Sequence, residues 1–111
     1  MTGPAVVLVR CPCPDADGAA RIADAALAAR LAAAATTSDG HSRYRWDGAL
    51  HAHPETVLTL TTTAACRAAL CDLIVRLHPY ELPAIVWGHA GATAATADWA
   101  RDACTRNPDP R

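Results

Sequence analysis

The order of expected elements, β-α-β-β-α-β with a further helix after it, predicts an α+β fold of the ferredoxin-like kind. Three observations carry this expectation. Short β-rich runs occur at Ala5 to Arg10, Ser42 to Trp46, Glu55 to Thr62 and Ala84 to about His89. Two stretches of helical spacing, Ala19 to about Ala34 and Ala64 to Leu77, separate the first run from the second and the third from the fourth. Asp47-Gly48 is a hairpin signal between the middle two strands.

Ala5 to Arg10 is continuous and apolar apart from its last residue, as a buried strand is. Cys11-Pro12-Cys13-Pro14 is expected to end it, because proline has no ladder donor. Asp15 or Asp17 can cap the first helix. In that helix Ala20, Ala23, Leu27, Leu31 and Ala34 fall on one stripe, with Ile22 outside it. Thr36 to Gly40 reads as a loop.

Ser42 to Trp46 alternates, with Tyr44 and Trp46 on one face and Arg43 and Arg45 on the other. Leu50 to His53 extends the strand beyond the turn. Glu55 to Thr62 sets Val57, Thr59 and Thr61 against Leu58, Leu60 and Thr62. Thr63 can cap the second helix, whose stripe is Cys66, Leu70, Leu73, Ile74 and Leu77. Pro79 stops this helix at about His78, and Pro83 admits only a strand start or an edge. Thr93 to Cys104 reads as a short third helix. Residues 1–106 form one domain, and Asn107 to Arg111 reads as a loose tail.

The chain has 111 residues, enough for one core and not for two. Alanine dominates its apolar half and phenylalanine is absent, so each core residue buries little area. Two helices on one sheet face leave the other face to be covered, and a second subunit is a common cover. Net charge is −1, which gives no electrostatic case for nucleic acid or an acidic membrane surface. Every basic residue is Arg, so a covalent amine mechanism has only the N-terminus to use. No apolar run approaches the roughly 18 residues of a membrane span, and no signal-type core follows a charged start. The cytoplasm is the expected compartment. Five cysteines without a CxxC then suggest free thiols or metal ligands rather than a disulfide framework.

Cys11 and Cys13 lie two apart near a strand end, so their sulfurs point the same way. Two thiolates suit Cu(I) or Zn, although no sequence neighbour completes a site; the alternative is two small buried hydrophobes. His51 and His53 have the same spacing, with Glu55 able to add an oxygen, and suit Cu(II) or Zn; the alternative is a solvated hairpin. His78, Tyr80 and Glu81 form the densest polar cluster, at a helix-to-strand junction. They can bind metal, shuttle a proton, or lock an interface by hydrogen bonds. Arg43 and Arg45, flanking Tyr44, can hold an anion or pair across subunits. Trp46, Trp87 and Trp99 read as core or interface anchors, Cys66 and Cys71 as structural, and Cys104 as a free thiol. No organic cofactor is evident.

Four stretches together resemble the CutA family of divalent-cation tolerance proteins. They are Val6 to Asp15 with Cys11 and Pro14-Asp15, Arg30-Leu31-Ala32-Ala33, Tyr44-Arg45-Trp46-Asp47-Gly48, and His78-Pro79-Tyr80-Glu81-Leu82-Pro83; Asp98-Trp99 is a weaker fifth. The resemblance implies a ferredoxin-like subunit in a tight homotrimer that pairs through its long strands. It also implies an architecture like that of the nitrogen-regulatory PII proteins and a link to copper or another divalent metal. It brings no established reaction. Departures from the family pattern are Ala34 for a cysteine, Thr61 for a lysine, Thr96 for an aromatic residue, a loop one residue short before Tyr44, and Leu50-His51-Ala52-His53 for an acidic stretch. Three functions follow as expectations. One is metal binding in metal-ion response. The second is a PII-like module with an anionic ligand between subunits near Arg43, Arg45 or His78. The third is a recruited enzyme using His78, Tyr80 and Glu81.

Overall fold

The computed structural model describes residues 3–105, so the expected tail after residue 106 lies outside the described residues. Its elements are β1 (Ala5–Cys13), α1 (Ala16–Ala28), β2 (Ala34–Trp46), β3 (Ala49–Thr62), α2 (Ala64–Leu77), β4 (Val86–Gly91) and α3 (Ala94–Ala103). The four strands form one antiparallel sheet in the order β2-β3-β1-β4. This is the ferredoxin-like arrangement expected from the element order.

Alternation along the strands decides which face is filled. Val7, Val9, Cys11 and Cys13 of β1, with Leu58 and Leu60 of β3, enter one buried cluster. There they meet Ile22 and Ala26 of α1 and Cys66, Leu70 and Ile74 of α2. Thr62 shares this buried side, and its hydroxyl donates to the Leu31 carbonyl at 2.7 Å. That bond ties the end of β3 to the turn after α1. The opposite face of the sheet carries Leu8 and Val86, 38% and 54% exposed.

Three expectations about elements are corrected. First, α1 ends at Ala28, not near Ala34. Arg30 takes a left-handed backbone, φ 59°, and the Leu31 N–H returns to the Ala26 carbonyl at 3.0 Å. This is a Schellman-type stop without its usual glycine. Arg30 is held there by its guanidinium, which donates to the Asp102 carbonyl at 2.9 Å. The helix is also rotated relative to the predicted stripe. It buries Ala19, Ile22, Ala23 and Ala26, while Leu27 is 40% exposed.

Second, Thr36 to Gly40 is strand, not loop, and pairs with Thr59 to Glu55 in an unbroken register. Third, both Pro12 and Pro54 lie inside strands. The β1–β4 ladder stops at Arg10–Val86 and the β1–β3 ladder at Cys13–Thr56. Each proline therefore has a strand neighbour on one side only, the position where a missing donor is tolerated.

The caps follow the sequence closely. Asp15 accepts from the Gly18 N–H at 2.7 Å and Thr63 from the Cys66 N–H at 3.2 Å, each satisfying an otherwise orphaned donor. At the hairpin tip, Asp47 and Gly48 have φ 53° and 77°, as a two-residue type I′ turn requires. Beyond Glu55 the hairpin runs on as a two-stranded arm, because β1 has already ended. None of the three tryptophans lies in the core. Trp46, Trp87 and Trp99 are all about half exposed, and Trp87 is covered by the Arg67 guanidinium at 4.0 Å.

Candidate functional site

The β4 ladder begins opposite Arg10, so the segment that leads from α2 into β4 must pass the end of β1. This brings His78 to Cys11 and Cys13. One ligand atom from each of the three lies within 4.8 Å of the others, and all three residues are buried. Among the described residues this is the one group of three such donors. Cys11 and Cys13 point the same way, as their spacing predicts, and they are also core residues. The two readings of this pair are therefore compatible.

The His78 ring is fixed at both nitrogens. Nε2 donates to the Pro12 carbonyl at 2.8 Å, and Nδ1 accepts from the Tyr80 N–H at 3.1 Å. This pairing selects the tautomer with its proton on Nε2. The thiols make weak contacts with backbone carbonyls, Cys11 with Pro12 at 3.6 Å and Cys13 with Cys11 at 3.7 Å. Burial pushes the Cys11 thiol up to about 12, with the neighbouring Cys13 charge adding to the effect. Burial raises Cys13 as well. Both thiols are therefore protonated at neutral pH, and a cation here would displace protons from them. The donor set, two sulfurs and an imidazole in a dry site, fits a soft or borderline metal. All five cysteines are free, in keeping with the expectation of thiols rather than disulfides.

On the other side of Pro12 lies a groove of about 900 Å³. Its lining includes Arg43, Tyr44, Arg45, Trp46, Tyr80 and Glu81, residues singled out in the sequence as ligand or cleft positions. His78 does not line it. Tyr80 reaches over the groove and donates its hydroxyl to Glu55 Oε2 at 2.6 Å. Burial, and then that bond, raise the Tyr80 phenol well above its ordinary range, so it stays a donor. The sequence pattern pointed to Glu55 as a possible partner of the histidines; the fold gives it to Tyr80 instead. A signal was available in the topology, since a segment crossing the end of β1 also approaches β3 beside it.

His51 and His53 meet Tyr44, not the thiols. The Tyr44 hydroxyl donates to His53 Nε2 at 2.7 Å, and His53 Nδ1 donates to the Pro54 carbonyl at 3.1 Å. His51 stacks on the Tyr44 ring at 5.3 Å and bonds the Trp46 carbonyl through Nε2 at 3.3 Å. Both nitrogens of His53 are thus engaged within the arm, as both nitrogens of His78 are engaged beside the thiols.

Comparison with known proteins agrees with this fold. Residues 7–103 match the family described as CutA1 divalent ion tolerance protein. The divalent-cation tolerance protein CutA of Salmonella newport strain SL254 is 38% identical over 84 residues, which is 75% of this chain and 73% of that protein. The structure of CutA from Synechococcus elongatus PCC7942 matches with a TM-score of 0.87 at 27% identity, over 95% of each chain. That of the stable protein CutA1 from the psychrotrophic Shewanella sp. SIB1 gives 0.85 at 28% identity, over 98% of this chain and 100% of that one.

Proposed function

The chain belongs to the CutA1 divalent ion tolerance family, and from that membership we propose that it works by binding copper, or another thiophilic metal, at Cys11, Cys13 and His78. The observation that carries this is the convergence of three buried donors within 4.8 Å. Two thiolates and one imidazole favour Cu(I), which accepts low coordination numbers and soft ligands. Zn and Cu(II) are the borderline alternatives. The protein's own contribution is geometric and protonic. The strand fixes the two sulfurs on one side, α2 delivers the imidazole, and protons leave the thiols as the cation arrives. Ligation through His78 also replaces one of that ring's two hydrogen bonds, so the protein gives up a structural bond to hold the ion.

We also propose that the working unit is a homotrimer in the cytoplasm. The open sheet face with Leu8 and Val86, the free edges of β2 and β4, and the unsupported hairpin arm support association between subunits. A lone two-stranded arm is marginal in water, and free edges need a partner.

The test is native mass spectrometry of the reduced protein with and without copper or zinc. The expected result is a trimer with metal in stoichiometric amount, lost in Cys11→Ala and in Cys13→Ala. A trimer that takes up no metal, or one whose uptake survives both substitutions, overturns the assignment.

A further inference from the structure

A metal held by Cys11, Cys13 and His78 must use a ring nitrogen of His78, and both nitrogens are already engaged. A neutral imidazole has one N–H and one lone pair. The Pro12 carbonyl can only accept, so the proton sits on Nε2. The lone pair on Nδ1 is then taken by the Tyr80 N–H, 3.1 Å away.

Two routes to ligation remain, and both break the same bond. If Nδ1 binds the metal, its lone pair leaves the Tyr80 N–H, while the Nε2 proton stays on the Pro12 carbonyl and orients the ring. If Nε2 binds, the proton moves to Nδ1 and faces the Tyr80 N–H, donor against donor. Either way the Tyr80 N–H loses its acceptor. It must turn away from the ring or stay unsatisfied.

What resists that turn is Tyr80 itself. Its hydroxyl donates to the buried Glu55 at 2.6 Å, and its ring packs on the His78 ring with centroids 4.7 Å apart. Residues 79–84 belong to no helix or strand, and Pro79 and Pro83 have no N–H. Among the described residues, the hydrogen bonds that hold this stretch are the two made by Tyr80, one from its backbone and one from its side chain. The Tyr80–Glu55 bond therefore pins the residue whose backbone occupies the ligand.

On the reading that Cys11, Cys13 and His78 bind metal, we infer that Tyr80 is a positioning residue for that site: its bond to Glu55 keeps its N–H on His78, favours the metal-free state and so sets the affinity for metal. The linkage is reciprocal. Metal loosens the Tyr80–Glu55 bond by the same factor that the bond weakens metal binding.

The experiment uses the assembled, reduced, full-length protein, with Cu(I) supplied in competition with a chromogenic chelator. Tyr80→Phe keeps the N–H and the ring and removes the hydroxyl bond. The expected result is roughly tenfold tighter Cu(I) binding in Tyr80→Phe than in the unsubstituted protein. Cys13→Ala should abolish uptake in both backgrounds. A tyrosine that only supports the fold predicts equal or weaker binding in Tyr80→Phe, and that result overturns the inference. Amide hydrogen exchange is the second readout and needs no variant to fold. The Tyr80 N–H should exchange roughly tenfold faster in the copper-loaded protein than in the metal-free one. Copper uptake at the thiols with unchanged Tyr80 exchange removes the inference and leaves the metal site standing. No uptake at the thiols removes both.

Discussion

His78 Nε2 donates to the Pro12 carbonyl at 2.8 Å, joining residues 66 apart in the chain. The bond fastens the end of α2 to the end of β1, and the same ring accepts the Tyr80 N–H. His78 is thus a structural clasp before any metal is considered. Replacing it with Ala leaves a carbonyl and an N–H without their partner, each costing about 1–3 kcal/mol if water cannot reach it. We expect His78→Ala to lower the stability of the metal-free protein by about 2 kcal/mol, read by urea unfolding at fixed protein concentration. Unchanged stability would remove the clasp.

The open sheet face gives a second prediction. Leu8 is 38% exposed, and Arg10–Val86 is its diagonal neighbour pair on the same face. In a trimer that buries this face, Leu8→Glu removes apolar area from the contact and puts a carboxylate that must be desolvated there. Light scattering after size exclusion should show the trimer dissociating at micromolar concentration. A stable trimer in this variant would place the contact elsewhere.

Alkaline pH supplies a third. The Cys11 thiol is pushed from an ordinary 9.0 up to about 12 by burial and by Cys13. A group held neutral by folding contributes stability below its unfolded value and loses that contribution as pH rises through its folded one. The metal-free protein should therefore lose stability progressively between pH 9 and 12. The raised Tyr80 phenol acts in the same direction. Thermal unfolding across that range checks it, and Cys11→Ala should flatten the curve. Equal slopes for both proteins would contradict the assignment.

Much of this architecture was legible from residue patterns. Thr63, the stripe of Cys66, Leu70, Leu73 and Ile74, and the Asp47-Gly48 turn each state their role locally, through capping, periodicity and turn chemistry. What escaped local reading was set by neighbours. Thr36 to Gly40 has the Thr, Ser, Asp and Gly composition of a loop, and only its pairing with β3 makes it a strand. The stop of α1 falls on an arginine, not a glycine, because Arg30 is secured from α3. In an alanine-rich helix such as α1, many faces look equally apolar, so the buried one is chosen by packing on the sheet.

The site divides in the same way. The common direction of Cys11 and Cys13 follows from strand geometry alone. The arrival of His78 beside them, and of Tyr80 at Glu55, depends on where α2 ends relative to β1. His51 and His53 show the converse: their shared spacing brings both rings to Tyr44, a partner that strand spacing alone does not reveal.

The most direct test of the account is X-ray absorption at the copper edge, on reduced protein loaded with copper. The account predicts a shell of two sulfurs and one imidazole nitrogen, with one sulfur lost in Cys13→Ala. A shell of nitrogen and oxygen alone would contradict it and move the metal to the hairpin arm.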